Sequence, residues 1–475
     1  MSLALPRSHP TEQGTDPAAV LAFVDAMDAD PATEVHSLMV VRHGHVVAEG
    51  SWAPHTPERT RQLYSLSKSF TSTALGLAVA EGLLDLDDTV VSHLPELAEE
   101  VTDPRSRAIT LRHLASMASG HDREMWDEAV RRDPREPVRG FLTVPPDAAP
   151  GTLFAYSQPC TYALASVIQR AAGVSLTQYL RPRLFDPLGI GEVGWRTWPA
   201  GSGREQGFSG LFARIEDVAK LGVLYLRRGR WGDTQLVPSS YVDQATSRQI
   251  ATADGGSPDW SQGYGLGFWR SRHGYRGDGA FGQFCVVLPD HDVVVAITSG
   301  TASMQAVLDH LWTQLLPGLS GASAPKSGQP ELRARLQSLA LPPCAARPRP
   351  PRWEDWTDTS FPVAPGATAS LTSVGLQRTD ERLDVTITET ANALTLSVGA
   401  TGWLTTAPRD LHGSRIPVAT SGGWLDDDTL RVEVVFVESP HRMDLTCTLS
   451  TGTATATWRD VPLDGGALET LHRPR

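Results

Sequence analysis

The feature that most constrains this chain is a break in its hydrophobic rhythm about two-thirds of the way along. From Leu319 to Pro330 the sequence turns to Gly, Ser, Ala and Pro, which is linker composition. A short helix is expected at Glu331–Leu339, followed by a stretch rich in Pro and Arg from Pro342 to Pro351. Beyond it, Leu383–Thr388, Ala393–Val398, Thr429–Val437, Arg442–Leu449 and Thr453–Trp458 mostly alternate apolar with polar residues. Asp426-Asp427-Asp428 and Ser450-Thr451-Gly452 are turn signals between them. Residues 352–475 therefore predict a small all-antiparallel barrel or sandwich, and 318–351 a linker. The 475 residues suit two domains, the larger spanning 15–317.

That larger part mixes periods. Ser37–Trp52 alternates around His43-Gly44 and reads as a β-hairpin. Leu63–Gly82 then turns helical, with Ser65 near its first turn. Ile109–Met117 and Thr161–Gly173 read as further helices. Phe208–Gly229 opens with glycines and becomes helical through Asp217–Tyr225. Tyr264–Trp269, Phe284–Leu288 and the β-branched run Val293–Ile297 read as strands. The last strands can return beside the first hairpin. The prediction is an α+β layout, one antiparallel sheet with a helical cluster.

Lysine is scarce and occurs only at Lys68, Lys220 and Lys326. Lys68 lies in Ser65-Leu66-Ser67-Lys68, and three residues is nearly one helical turn, so amine and hydroxyl share a face. Arginine cannot substitute where a proton must leave, because guanidinium stays charged. An amine beside a hydroxyl is what turns a weak oxygen nucleophile into a strong one. The same spacing recurs at Ser323-Ala324-Pro325-Lys326, where the linker and its proline rule out a preorganised helical turn.

With Tyr156 in Phe154-Ala155-Tyr156-Ser157-Gln158, the Ser65 and Lys68 pair resembles the serine β-lactamase and penicillin-binding-protein superfamily. The nearest branch is the class C-like group of family VIII carboxylesterases, D-aminopeptidases and penicillin-binding-protein-type thioesterases. Ile109–Leu114 with Ser119-Gly120-His121, Pro187-Leu188-Gly189, and Gly210-Leu211-Phe212 with Asp217-Val218-Ala219 extend the likeness over roughly residues 15–317. The resemblance implies that Ser65 attacks a carbonyl carbon, and that Lys68 or a Tyr156 phenolate takes its proton. Either base needs a depressed pKa, and the two can act as a coupled pair. The Ser65 N–H would face the developing oxyanion.

The second oxyanion donor is expected from Gly277-Asp278-Gly279-Ala280, with Gly279 allowing close approach and Ala280 supplying its N–H. The superfamily usually has Lys or His where Gly277 stands, so recognition of a substrate carboxylate is in question unless His273 or Arg276 reaches in. Gln158 replaces the usual Asn of the second motif and is a substrate- or oxyanion-binding candidate. The C-terminal part is similar to the lipocalin-type barrel appended to some members, and is expected to shape the active-site mouth.

The remaining signals are mostly exclusions. A formal net charge of −12 disfavours nucleic acid and anionic membrane surfaces as partners. Cys160, Cys285, Cys344 and Cys447 lack any paired or metal-ligand spacing, which reads as reduced thiols in a cytoplasmic protein. Cys160, near Gln158, reads as a buried inert thiol. His113, His121 and His273 show no metal spacing, so neither metal nor cofactor is expected. Pro6, Arg7 and Pro10 stand where a signal peptide would be apolar, and no run is long enough for a membrane helix. No Gly-x-Ser-x-Gly occurs, which argues against the α/β-hydrolase route. Trp260, Tyr264, Phe268 and Trp269 are candidates to line a cleft for a small ester, amide or peptide. Three functions remain open: a serine hydrolase, an acyltransferase or peptide-cyclising thioesterase using the same acyl-enzyme, and a silent binding protein.

Overall fold

The computed structural model describes residues 4–198, 203–252, 257–319, 328–347, 353–365, 369–379 and 382–474. The second Ser-x-x-Lys copy, Ser323 to Lys326, lies outside them.

His43 and Gly44 both take positive φ, 50° and 78°, and close the hairpin between strands Val35–Arg42 and His45–Ser51. Two left-handed residues give a turn whose twist matches its strands. The sheet continues from Val35–Arg42 through Val293–Ser299, Gln283–Leu288 and Tyr275–Gly279 to Trp269–Arg270, antiparallel at every step. Strands late in the larger domain thus return beside the first hairpin.

The Val35–Arg42 strand is buried along its whole length because both sheet faces are covered. Leu38 and Val40 point to one core, with Phe23, Val295, Ile297 and Leu311. Met39 and Val41 point to the other, with Leu66, Phe70, Leu221 and Val294. This is the period-two alternation of a strand between two layers. Helices Pro17–Ala29, Met304–His310 and Gln329–Gln337 cover the first face. Helices Ser67–Ala80, Gln158–Ala172 and Ile215–Leu226 lead the cluster on the second.

Residues 353–474 form a four-stranded sheet, 359–362 to 393–397, and a five-stranded one, 404–406 to 453–458. Together they enclose one apolar core containing Trp356, Val385, Leu396, Val432, Leu445 and Trp458. The described part of the connecting segment is pinned rather than free. Leu332, Leu339 and Leu341 are buried against the first sheet, and Arg347 bridges to Trp424.

Two differences from the sequence expectation have local causes. Tyr264–Trp269 forms only the two-residue strand Trp269–Arg270, because Gly265 and Gly267 bring its backbone against Ala245 and Lys68 carbonyls. Strand Val418–Trp424 was not expected, since Gly422 and Gly423 hide its alternation. Side chains at these glycines would strike Arg431 and Arg347 carbonyls.

Candidate active site

Ser65 sits in a 3-10 turn, Tyr64–Leu66, that feeds directly into helix Ser67–Ala80. The turn is forced by Tyr64, which holds φ = 47°, a left-handed conformation uncommon for a bulky residue. One turn on, Lys68 is 2% exposed. Its Nζ donates to Ser65 Oγ at 2.9 Å, to Gln158 Oε1 at 2.7 Å and to the Phe208 carbonyl at 2.8 Å. An ammonium has three N–H groups and no acceptor, whereas a neutral amine has two N–H groups and a lone pair. With Gln158 and Phe208 as fixed acceptors, loss of one proton leaves the lone pair for Ser65 Oγ.

Burial drives that loss. It pulls the Lys68 amine down to about 7, against the opposing pull of Glu124 and Asp278. The Tyr156 hydroxyl lies beside Ser65, and Nζ lies 4.8 Å from the Tyr156 ring centroid. Burial raises the Tyr156 phenol, so it keeps its proton at neutral pH.

Gln158 opens helix Gln158–Ala172, and its N–H is capped by the Glu124 carboxylate at 2.9 Å. Its amide oxygen is turned to Lys68, so its clearest contact is with the amine. Strand Tyr275–Gly279, beyond its short pairing with Trp269–Arg270, passes close to the Ser65 turn. A methyl at Gly279 would lie 2.1 Å from Leu63 O and 3.1 Å from Ser65 N. Only a glycine permits this approach. Ala280 follows in a turn whose neighbouring carbonyls are tied back. Gln283 Nε2 donates to the Ala280, Phe281 and Ser299 carbonyls, and Ser299 Oγ to those of Phe281 and Gly282.

The basic candidates do not enter. Arg276 is fully buried. Its Nε donates to Asp278 Oδ2 at 3.0 Å, and its Nη1 to Asp259 O, Arg270 O and Ser271 Oγ. Its guanidinium also lies 4.4 Å from the Trp260 ring centroid. His273 is exposed in the turn before the strand, its ring 5.0 Å from Trp312. At Gly277 a Cβ would meet Leu66 and Ser69 at 2.5 Å, leaving no room for a lysine or histidine side chain.

Two groups of aromatic rings adjoin Lys68. Tyr156 stacks on Trp269 at 5.4 Å, with Tyr264 and Phe154 around the pair. In the second group Trp126 packs on Phe208, Tyr162 and Trp198, and the Phe208 ring centroid lies 5.9 Å from Lys68 Nζ. Of the four expected cleft aromatics, Tyr264 and Trp269 touch Tyr156, Trp260 covers Arg276, and Phe268 packs on Tyr225. The sequence reading missed Glu124, Trp126 and the Phe208 carbonyl. Only the glycines flanking Phe208, at 207 and 210, hinted at the last. Burial raises the Cys160 thiol to about 12. Among the described residues no cluster of three or more His, Cys, Asp or Glu is placed to hold a metal, and no helix is long and apolar enough to cross a membrane.

Comparison with known proteins gives a consistent likeness. The family model described as Beta-lactamase matches residues 22–316. Penicillin-binding protein 4 of Amycolatopsis lactamdurans is 25% identical over 368 residues, covering 70% of this chain and 92% of that protein. The 6-aminohexanoate-dimer hydrolase of Paenarthrobacter ureafaciens is 26% identical over 280 residues, covering 54% and 71% respectively. The crystal structure of SurE superposes with a TM-score of 0.51 at 18% identity, covering 92% of this chain and 99% of that one. The shared fold therefore extends through the C-terminal sheets.

Proposed function

The chain belongs to the Beta-lactamase family of serine hydrolases, and on that premise we propose that it cleaves an ester or amide through an acyl-enzyme on Ser65. The observation that carries this reading is the Lys68 amine, 2.9 Å from Ser65 Oγ with its pKa lowered to about 7. Neutral Lys68 takes the hydroxyl proton as Oγ bonds to the carbonyl carbon. The carbonyl oxygen becomes an oxyanion and accepts from the Ser65 and Ala280 N–H groups. As the intermediate collapses, Lys68 returns the proton to the leaving group by way of the Tyr156 hydroxyl. Tyr156 serves better as this relay than as the first base, because burial holds it protonated. Water then takes the acyl group. An alcohol or amine in its place would make the same intermediate a transfer reaction, which product analysis with added acceptors distinguishes.

Intact-protein mass spectrometry with a fluorophosphonate tests the reading. One adduct on wild type and none on Ser65→Ala is the expected result, and an unlabelled folded wild type would overturn it. Penicillins should label far more slowly than the neutral probe. Gly277 has no side chain, and Arg276 is held by Asp278, so neither position offers a cation to a substrate carboxylate. Stoichiometric penicillin labelling at matched concentration would contradict that account.

The pH dependence has a definite sign. The reactive form is neutral Lys68, so labelling should rise about tenfold per pH unit below the pKa and level off above it. The midpoint should fall near pH 7. A profile still climbing toward pH 10 would remove Lys68 from the role of base.

A further inference from the structure

We propose that His441, supplied by the C-terminal β-domain, is a positioning residue that holds both halves of the oxyanion hole in register. The inference rests on Ser65 being the nucleophile, and extends it to a residue far away in the sequence.

Two strained residues flank the two oxyanion donors. Tyr64, at φ = 47°, immediately precedes Ser65, and Phe281, at φ = 64°, immediately follows Ala280. A left-handed conformation costs a non-glycine residue about 1–3 kcal/mol and persists only where its surroundings over-determine it. The surroundings of both share one imidazole. The Phe281 ring centroid lies 4.8 Å from that of His441, edge-on at 82°, and the Tyr64 ring 5.8 Å from it at 88°. Tyr64 and Phe281 also meet each other edge-on, 5.3 Å apart. The three rings close a triangle spanning the gap between the nucleophile turn and the turn that follows strand Tyr275–Gly279.

The polar contacts set the state of the imidazole. His441 Nδ1 lies 3.1 Å from the Asp460 carbonyl, which can only accept, so Nδ1 carries the proton. Nε2 is then the acceptor for the Tyr64 hydroxyl at 2.5 Å. Burial pulls the imidazole down to about 4, which keeps it in this neutral, one-donor form. The backbone adds a second tether. His441 ends the turn between strands Thr429–Phe436 and Arg442–Thr448, and within that turn the Glu438 carbonyl accepts the Gln62 N–H at 2.9 Å. The remaining ladder of Arg61–Gln62 runs to Leu211–Ala213. The segment leading into Ser65 is thus held from one side by its own domain and from the other by the C-terminal sheets.

The test compares full-length wild type, His441→Ala, His441→Gln and Tyr64→Phe. The readouts are the fluorophosphonate labelling rate, kcat and KM on a p-nitrophenyl ester, and thermal stability. His441→Ala should lower kcat and labelling by about tenfold to a hundredfold with KM within about twofold, since displacing a donor by a fraction of an ångström acts on the transition state. His441→Gln should recover part of the loss by offering Tyr64 an oxygen. Tyr64→Phe should lose several-fold in kcat, and it decides the matter if His441→Ala does not fold. Arg442→Gln supplies the structural control. It removes the 3.1 Å ion pair to Glu34 across the same junction, and should cost stability without lowering kcat. Unchanged kcat in folded His441→Ala or Tyr64→Phe, or equal losses in Arg442→Gln, would overturn the proposal while leaving Ser65 intact. A wild type that fails to label would overturn the Ser65 reading, and this inference with it.

Discussion

Lys68→Met is expected to slow acylation of Ser65 by about a thousandfold, the usual effect of removing a positioned base. It should also erase a pH dependence of stability that this one lysine imparts. Methionine keeps the length of the side chain but has no amine. In wild type, the amine has a pKa of about 7 when folded and 10.5 as a free side chain. Between those values the unfolded chain binds more protons than the folded one, so folding stability rises with pH across that window. From pH 7 to pH 9 the gain is about 2 kcal/mol at 1.36 kcal/mol per unit of pKa. The variant lacks it, and other titrating groups cancel in the comparison. Guanidinium melts of both proteins at pH 7 and pH 9 measure the difference. A stability gap that stays constant would mean that Lys68 is charged in the fold.

Gly279→Ala is the second large effect. The added methyl would sit 2.1 Å from Leu63 O, 3.0 Å from Leu66 N and 3.1 Å from Ser65 N. Those atoms belong to the backbone of a buried turn and have little freedom to move. The end of strand Tyr275–Gly279 must back away, carrying the Ala280 N–H with it. Loss of one oxyanion donor costs about a hundredfold to a thousandfold in kcat, and the overpacking about 1–3 kcal/mol in stability. Gly375→Ala, in a C-terminal strand where the nearest atoms are 3.8 Å away, is the control that should change neither. Ester hydrolysis and melting temperature on the three proteins give the answer. Near-normal kcat in Gly279→Ala would show that this strand does not supply the donor.

How far the sequence carried the argument depended on what each segment contributes. The Val35–Ser51 hairpin and the Val293–Ser299 strand were legible because they bury apolar side chains with a plain period. Ser65, Lys68, Tyr156 and Gln158 were legible as side-chain chemistry at meaningful spacing, and the fold brings them together. The strand Tyr275–Gly279 has no such period. Its residues Tyr-Arg-Gly-Asp-Gly serve a close backbone approach and a buried ion pair, so its place beside Ser65 was a matter of motif rather than pattern. The Phe208 carbonyl is a backbone atom, and any side chain could carry it. Arg276 is a different case. Its identity suggested a cation for the cleft, but only the fold reveals that Asp278, two positions on, has claimed it.

The contact between Tyr64 and His441 joins positions 377 residues apart. The segment that bears Ser65 leaves the ribosome well before His441, the imidazole that holds it. A nascent chain therefore displays the serine and lysine long before it has the part that sets the attack geometry. Order of synthesis withholds full competence until the C-terminal sheets have been made, so products that stop short of His441 would carry the serine and lysine but react slowly.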